Sequence, residues 1–226
     1  MKTKIVGISA IAVSILLTAQ PAMAGFGLPG VTKNGDKTEA GTVSKDSVLA
    51  EIGTITADYS KASLEILTAR QLSLEALGLS TEAAKCKEAA DKIANGLTLQ
   101  ETQKLTKSDP TVDKAVADQM AKQEELSPEQ RQKFAQSLLH LAVGVVMEKK
   151  MIDAVSATAS NAQKVLGSAG VAEKVQLGGK LKPIISFAAV FPGDVKNTLS
   201  TLGTYTKFAQ SKGIEVPANA TSALGD

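Results

Sequence analysis

The feature that most restricts the fold is a long apolar stripe in the second half of the chain. Phe134, Leu138, Leu141, Val145, Ile152, Val155, Ala159 and Ala162 recur at the spacing that keeps side chains on one face of an α-helix. Ser127-Pro128-Glu129-Gln130 opens it with a Ser cap, Pro at the first position and Gln at the third. Gly167 to Gly170 should end it, so the helix reaches about Leu166 and spans roughly 55–60 Å at 1.5 Å per residue. The repeat has one polar slot, at Glu148. Leu138 to Met147 is apolar apart from His140, which suits the centre of a bundle.

A second stripe runs through Val48, Ile52, Ile55, Tyr59, Ala62, Ile66, Ala69, Ser73 and Ala76. Ser44 or Ser47 can cap it, and Gly78 should end it in the left-handed conformation. Ser80 or Thr81 starts an alanine-rich helix with a weak apolar face at Ala83, Cys86, Ala90, Ile93 and Leu97. Thr98-Leu99-Gln100-Glu101 fits a capping box before a short helix, and Asp109-Pro110 starts another with Val112, Val116 and Met120 on one side.

Beyond Gly170 the pattern is broken. Val171 to Leu177 is helical in character, but Gly178-Gly179 and Pro183 should interrupt it. Ile184 to Phe191 is an apolar run between Pro183 and Pro192 that suits a buried helix or a strand, with helical surroundings favouring helix. Pro192-Gly193-Asp194 reads as a turn. A last helix carries Val195, Leu199, Leu202, Tyr205 and Ala209 and stops at Lys212-Gly213, with Ile214 placed for the usual hydrophobic contact. The expected fold is therefore all-α, an elongated, coiled-coil-like helical bundle of about five to seven helices over residues 44–216, with a polar tail at 217–226.

The N-terminus supplies an address. Lys2 and Lys4 precede the apolar stretch Ile5 to Leu17, which is shorter than the roughly 20 residues of a membrane-spanning helix. Pro21 and Ala22-Met23-Ala24 follow, the small-x-small pattern of a signal-peptidase site. Residues 1–24 therefore read as a signal peptide, with Ala22 and Ala24 flanking the cut and Gly25 as the new terminus. Residues 25–43, rich in Gly, Thr, Lys and Asp, read as a flexible leader. Gly25 stands where a bacterial lipoprotein would carry its lipidated cysteine. The product expected is a soluble periplasmic or secreted protein of roughly 200 residues, large enough to bury about 70% of its unfolded surface without disulfides.

Composition narrows the function. The chain has 25 Lys+Arg against 23 Asp+Glu, and Lys2 and Lys4 account for the difference. A balanced mature chain has no general attraction for nucleic acid or anionic lipid. Aromatics make up 3% and Trp is absent, which disfavours stacking sites for sugars or single strands. One His and one Cys rule out a H-E-x-x-H zinc site, a C-x-x-C pair and a four-cysteine metal site. No G-x-S-x-G elbow or phosphate loop is present. Ser137 stands where a di-iron bundle needs Glu before His140, and a His140–Met haem pair lacks any attachment motif. No catalytic residue, metal or cofactor is expected; His140 reads as a hydrogen-bonded boundary residue and Cys86 as a small buried hydrophobe.

Glu75-Ala76-Leu77-Gly78-Leu79, Phe191-Pro192-Gly193 and Gly213-Ile214-Glu215-Val216-Pro217 are helix-stop and turn segments. In these the chain resembles exported all-helical proteins of unknown function from Gram-negative bacteria, a resemblance that implies a fold and a location but no activity. Two functions follow as expectations. The first is a binding or structural module that docks a protein partner, or a second copy, on its helix faces. The second is a membrane-active bundle whose tip is Ile184, Phe187 and Phe191 beside Lys180 and Lys182.

Overall fold

The computed structural model describes residues 43–107 and 109–225; the expected cleavage site at Ala22, Ala24 and Gly25 and the leader before Val43 lie outside them. Among the described residues the chain is all-α, with no strand. The helices are α1 (Lys45–Ala76), α2 (Ser80–Ala94), α3 (Leu99–Thr106), α4 (Pro110–Lys122), α5 (Pro128–Ser168), α6 (Val171–Ser211) and α7 (Ala218–Gly225).

Local chemistry explains most of the boundaries. The Asp46 N–H donates to Ser44 Oγ at the start of α1. Reciprocal capping boxes close the starts of α3, between Thr98 and Glu101, and α5, between Ser127 and Gln130. Asp109 caps α4, with Pro110 in its first turn. Gly78 and Gly213 take positive φ of 77° and 62°. There the Leu79 N–H reaches back to Leu74 O and the Ile214 N–H to Ala209 O, using up carbonyls that the helix leaves over.

The three long helices α1, α5 and α6 pack against one another and hold two apolar cores. One core joins Ile66, Ala69 and Leu74 of α1 to Phe134, Leu138, Leu141 and Val145 of α5 and Leu202, Tyr205 and Phe208 of α6. The other joins Val48, Ile55 and Tyr59 to Met151, Val155 and Val165, and to Leu181, Ile184, Phe187, Phe191 and Val195. Between them lies a polar layer. Each long helix crosses from one core to the other at a polar residue: Ser63 on α1, Glu148 on α5 and Thr198 on α6, all buried. Close by, Gly144 lets α5 approach α1, since a Cβ there would stand 2.6 Å from Ile66 Cγ1 and 3.3 Å from Ala62 O. The His140 Nδ1–Glu65 Oε2 contact of 2.7 Å links α5 to α1 at the half-buried boundary expected for this histidine.

Three expectations need correction. Neither Gly178-Gly179 nor Pro183 interrupts the chain, and Pro192-Gly193-Asp194 is not a turn: all lie inside the continuous α6. A proline in a helix forfeits one backbone bond and crowds the carbonyl four residues back. Pro192 sits on the exposed side, and the carbonyl four residues before Pro183 belongs to Gly179, which is also exposed and lacks a Cβ. The buried stripe Leu177, Leu181, Ile184, Phe187, Phe191, Val195 then holds α6 together by packing. The segment read as a polar tail forms α7, whose Ala220 and Ala223 are buried against the first core. Finally, the apolar run of α5 is not enclosed all round, because Leu139 is 40% exposed.

Candidate functional site

The residues of the expected tip do not share one environment. Ile184, Phe187 and Phe191 are buried, with Phe187 and Phe191 set against Tyr59 of α1 at ring-centroid distances of 4.8 and 5.8 Å. Lys180 and Lys182 are exposed. An apolar surface does lie beside them, but nearer the N-terminus of α6. Val171 and Val175 are 85% and 79% exposed. They line an open groove of about 810 Å³ with Leu166, Gly178, Gly179 and Pro183, rimmed by Gln100, Lys174 and Lys182. The Lys45–Glu173 contact of 3.8 Å ties the start of α1 to the first turn of α6.

A second site lies at the polar layer. Glu148 is only 2% exposed, and its Oε2 has no hydrogen-bond partner. It lines a pocket of about 150 Å³ together with Tyr59, Arg70, Gln103, Thr106, Asp194 and Thr198. Four bonds shape the walls. Tyr59 Oη lies 3.0 Å from Thr106 Oγ1, and Arg70 Nη1 donates to Thr106 O at 2.5 Å. Gln103 Nε2 donates to Asp194 Oδ2 at 2.8 Å, and Thr198 Oγ1 donates to Asp194 O at 3.0 Å. Short α3 thus bridges α1 to α6 and closes one side. Glu148 and Tyr59 lie at the floor, while Lys107 and Asn197, both exposed, stand at the mouth.

The pocket changes the acid–base character of its floor. Burial pushes the Glu148 carboxyl up to about 7; Thr198 and Arg70 oppose the shift, and Asp194 adds to it. Burial likewise raises the Tyr59 phenol to about 12, against the bond to Thr106. A neighbouring pocket of about 160 Å³ shares Arg70, Lys107 and Thr201 with this one and sets apolar residues such as Leu67, Leu74, Cys86 and Val116 beside the charged Glu82, Lys85, Asp109 and Asp113. Cys86 is half-buried, and burial raises its thiol, as suits a packing residue more than a nucleophile.

The sequence carried one signal for this pocket, the polar slot at Glu148 in an otherwise apolar stripe. Asp194 gave none, because a Pro-Gly-Asp triplet reads as a turn. Gln103 and Thr198 are brought in by tertiary packing alone. Among the described residues there is no group of three or more His, Cys, Asp or Glu side chains able to hold a metal, and no helix is long and apolar enough to cross a membrane. Compared with protein-family models, with curated proteins and with solved structures, the chain matches none.

Proposed function

We propose that this chain is an exported, non-catalytic helical module that binds a protein partner at the bare end of its α5–α6 hairpin. The observation that carries the reading is the groove around Val171 and Val175. Two valines that would each gain from burial stand in solvent on the first turns of α6. Lys174 and Lys182 on the rim favour an acidic neighbour. The occupant that fits is an amphipathic helix of another protein, with apolar residues facing the groove and carboxylates toward the lysines.

A lipid surface is the weaker occupant. Interfacial segments anchor with aromatic residues on the outside. Here all six described aromatics, Tyr59, Phe134, Phe187, Phe191, Tyr205 and Phe208, are buried. The tip formed by Ile184, Phe187 and Phe191 would first have to leave the core.

The test uses a labelled amphipathic peptide of Leu and Glu, its counterpart of Leu and Lys, and anionic vesicles. Binding of the acidic peptide alone, lost in Val175→Asp with helicity unchanged, is the expected result. Equal binding of the basic peptide would remove the role of the lysines and with it the proposed partner. Sedimentation of the chain with vesicles would move the function to the membrane. Cell fractionation checks export separately: a chain retained in the cytoplasm with its first residues intact would overturn it.

A further inference from the structure

The polar pocket has the features of a ligand site that are independent of the hairpin groove. A buried carboxylate oxygen without a partner is costly, and bundles normally fill such a position with an apolar side chain or satisfy it fully. Here Glu148 Oε2 is left open at the floor of a pocket of about 150 Å³, roughly ten times the space that one water needs. The walls carry charges of both signs. Glu148 and Asp194 supply carboxylates, and Asp194 is already held by Gln103 on one oxygen. Arg70, held by Thr106, and Lys107 supply cations.

Two carboxylates are too few for a structural divalent-cation cage, which takes six or more oxygens. They do suit an organic ammonium, which needs only a few acceptors and brings its own charge to a desolvated oxygen. The same pocket offers a guanidinium and an ammonium for a carboxylate, which Arg in particular recognises through paired donors. We propose that the pocket binds a small zwitterion, a molecule carrying a primary ammonium and a carboxylate a few bonds apart, with its ammonium at Glu148 and Asp194 and its carboxylate at Arg70 and Lys107.

The charged and titratable groups facing Glu148 are Tyr59 and Arg70 from α1, Lys107 at the end of α3 and Asp194 from α6. With the carboxyl near 7, its ionised form, the one an ammonium prefers, dominates only above neutrality. Affinity should therefore be highest in mild alkali and fall about tenfold per pH unit below 7.

The experiment is a thermal-shift and calorimetric titration of the full chain with glycine, β-alanine, γ-aminobutyrate, propylammonium and propionate, in the wild type and in Glu148→Gln. At least one zwitterion should raise the midpoint and release heat, while propylammonium and propionate do neither. Glu148→Gln should stay helical and lose the response at least tenfold, and the wild-type affinity should weaken with acid. An equal response to propylammonium would reduce the site to a simple cation pocket and overturn the proposal. So would a Glu148→Gln variant that still binds, or a wild type that answers to none of the five probes. Because the hairpin groove is read by peptide binding and by Val175→Asp, its failure and the failure of this site are separate results.

Discussion

The two ends of the bundle are built from the same three helices and are finished differently. Around the core of Phe134, Leu138 and Leu141, the long helices are wrapped by Ala83 of α2, Val116 of α4, Leu126 and the alanines of α7. Around the core of Phe187, Phe191 and Val155, the only apolar addition from a short helix among the described residues is Leu99 of α3. The wrapped end leaves Leu139 and Leu224 only 40% and 37% exposed, whereas the bare end shows Val171 and Val175 at 85% and 79%. The contrast separates two uses of an apolar residue. At the wrapped end such residues make stability; at the bare end some are left over, and leftover apolar surface is where a partner gains most.

The largest effect should come from Phe187→Asp. It would place an unpaired charge in the bare core against Tyr59 and Phe191, a loss above about 4 kcal/mol. Thermal unfolding should show a collapsed midpoint or no transition; a stable variant that instead loses vesicle binding would make the bare end a membrane tip. Leu141→Ala in the wrapped core should cost about 2–5 kcal/mol by denaturant titration. A loss below about 0.5 kcal/mol, the surface range, would mean that the wrapped end is not the core it looks like.

The polar layer between the ends should show itself through pH. The Glu148 carboxyl is raised in the fold, so the folded state holds a proton that the unfolded state gives up earlier. That favours folding at low pH, and the advantage is lost as pH rises from about 4.5 to about 7. The drop is up to about 3 kcal/mol and should vanish in Glu148→Gln. A wild type and variant with parallel pH profiles would show that Glu148 is solvated. A smaller change, of opposite sign, is expected on the exposed face of α6. Pro192→Ala restores a helix bond at a solvent position and should stabilise by about 1–3 kcal/mol. A destabilised variant would mean that the proline sets the course of α6.

How much of this was legible in the sequence differs by helix. α1 and α5 could be read because stripe, cap and stop agree: Ser44 with Gly78, and the Ser127–Gln130 box with the glycines after Leu166. α6 is as long as α5, yet its local signals contradict its packing. Gly178-Gly179, Pro183 and Pro192 all weaken a helix taken alone, and only burial of the stripe from Leu177 to Val195 against the other long helices outweighs them. α7 was missed because Ala220 and Ala223 are too small to make a stripe. The expected tip falls on Ile184, Phe187 and Phe191, which are buried, for a related reason: the run is apolar by composition, but composition does not say which side faces the core. In the pocket, Glu148 stood out as the one polar break in its stripe, whereas Asp194 was hidden in a turn-like triplet.

Gly144 and the polar layer together carry a consequence for how the helices are aligned. Two apolar stripes with heptad-like spacing can slide past one another by two turns with little loss of burial. Here such a slide of α6 would bring Phe191 or Tyr205 alongside Glu148 and push Thr198 into an apolar core. A polar layer in mid-bundle therefore acts as an alignment mark, trading some stability for one arrangement. Replacing Glu148 and Thr198 together by Leu should give a chain that is harder to unfold but samples more than one register, visible as doubled or broadened methyl resonances. A single sharp set of resonances would show that the caps and the Gly144 approach hold the alignment without it.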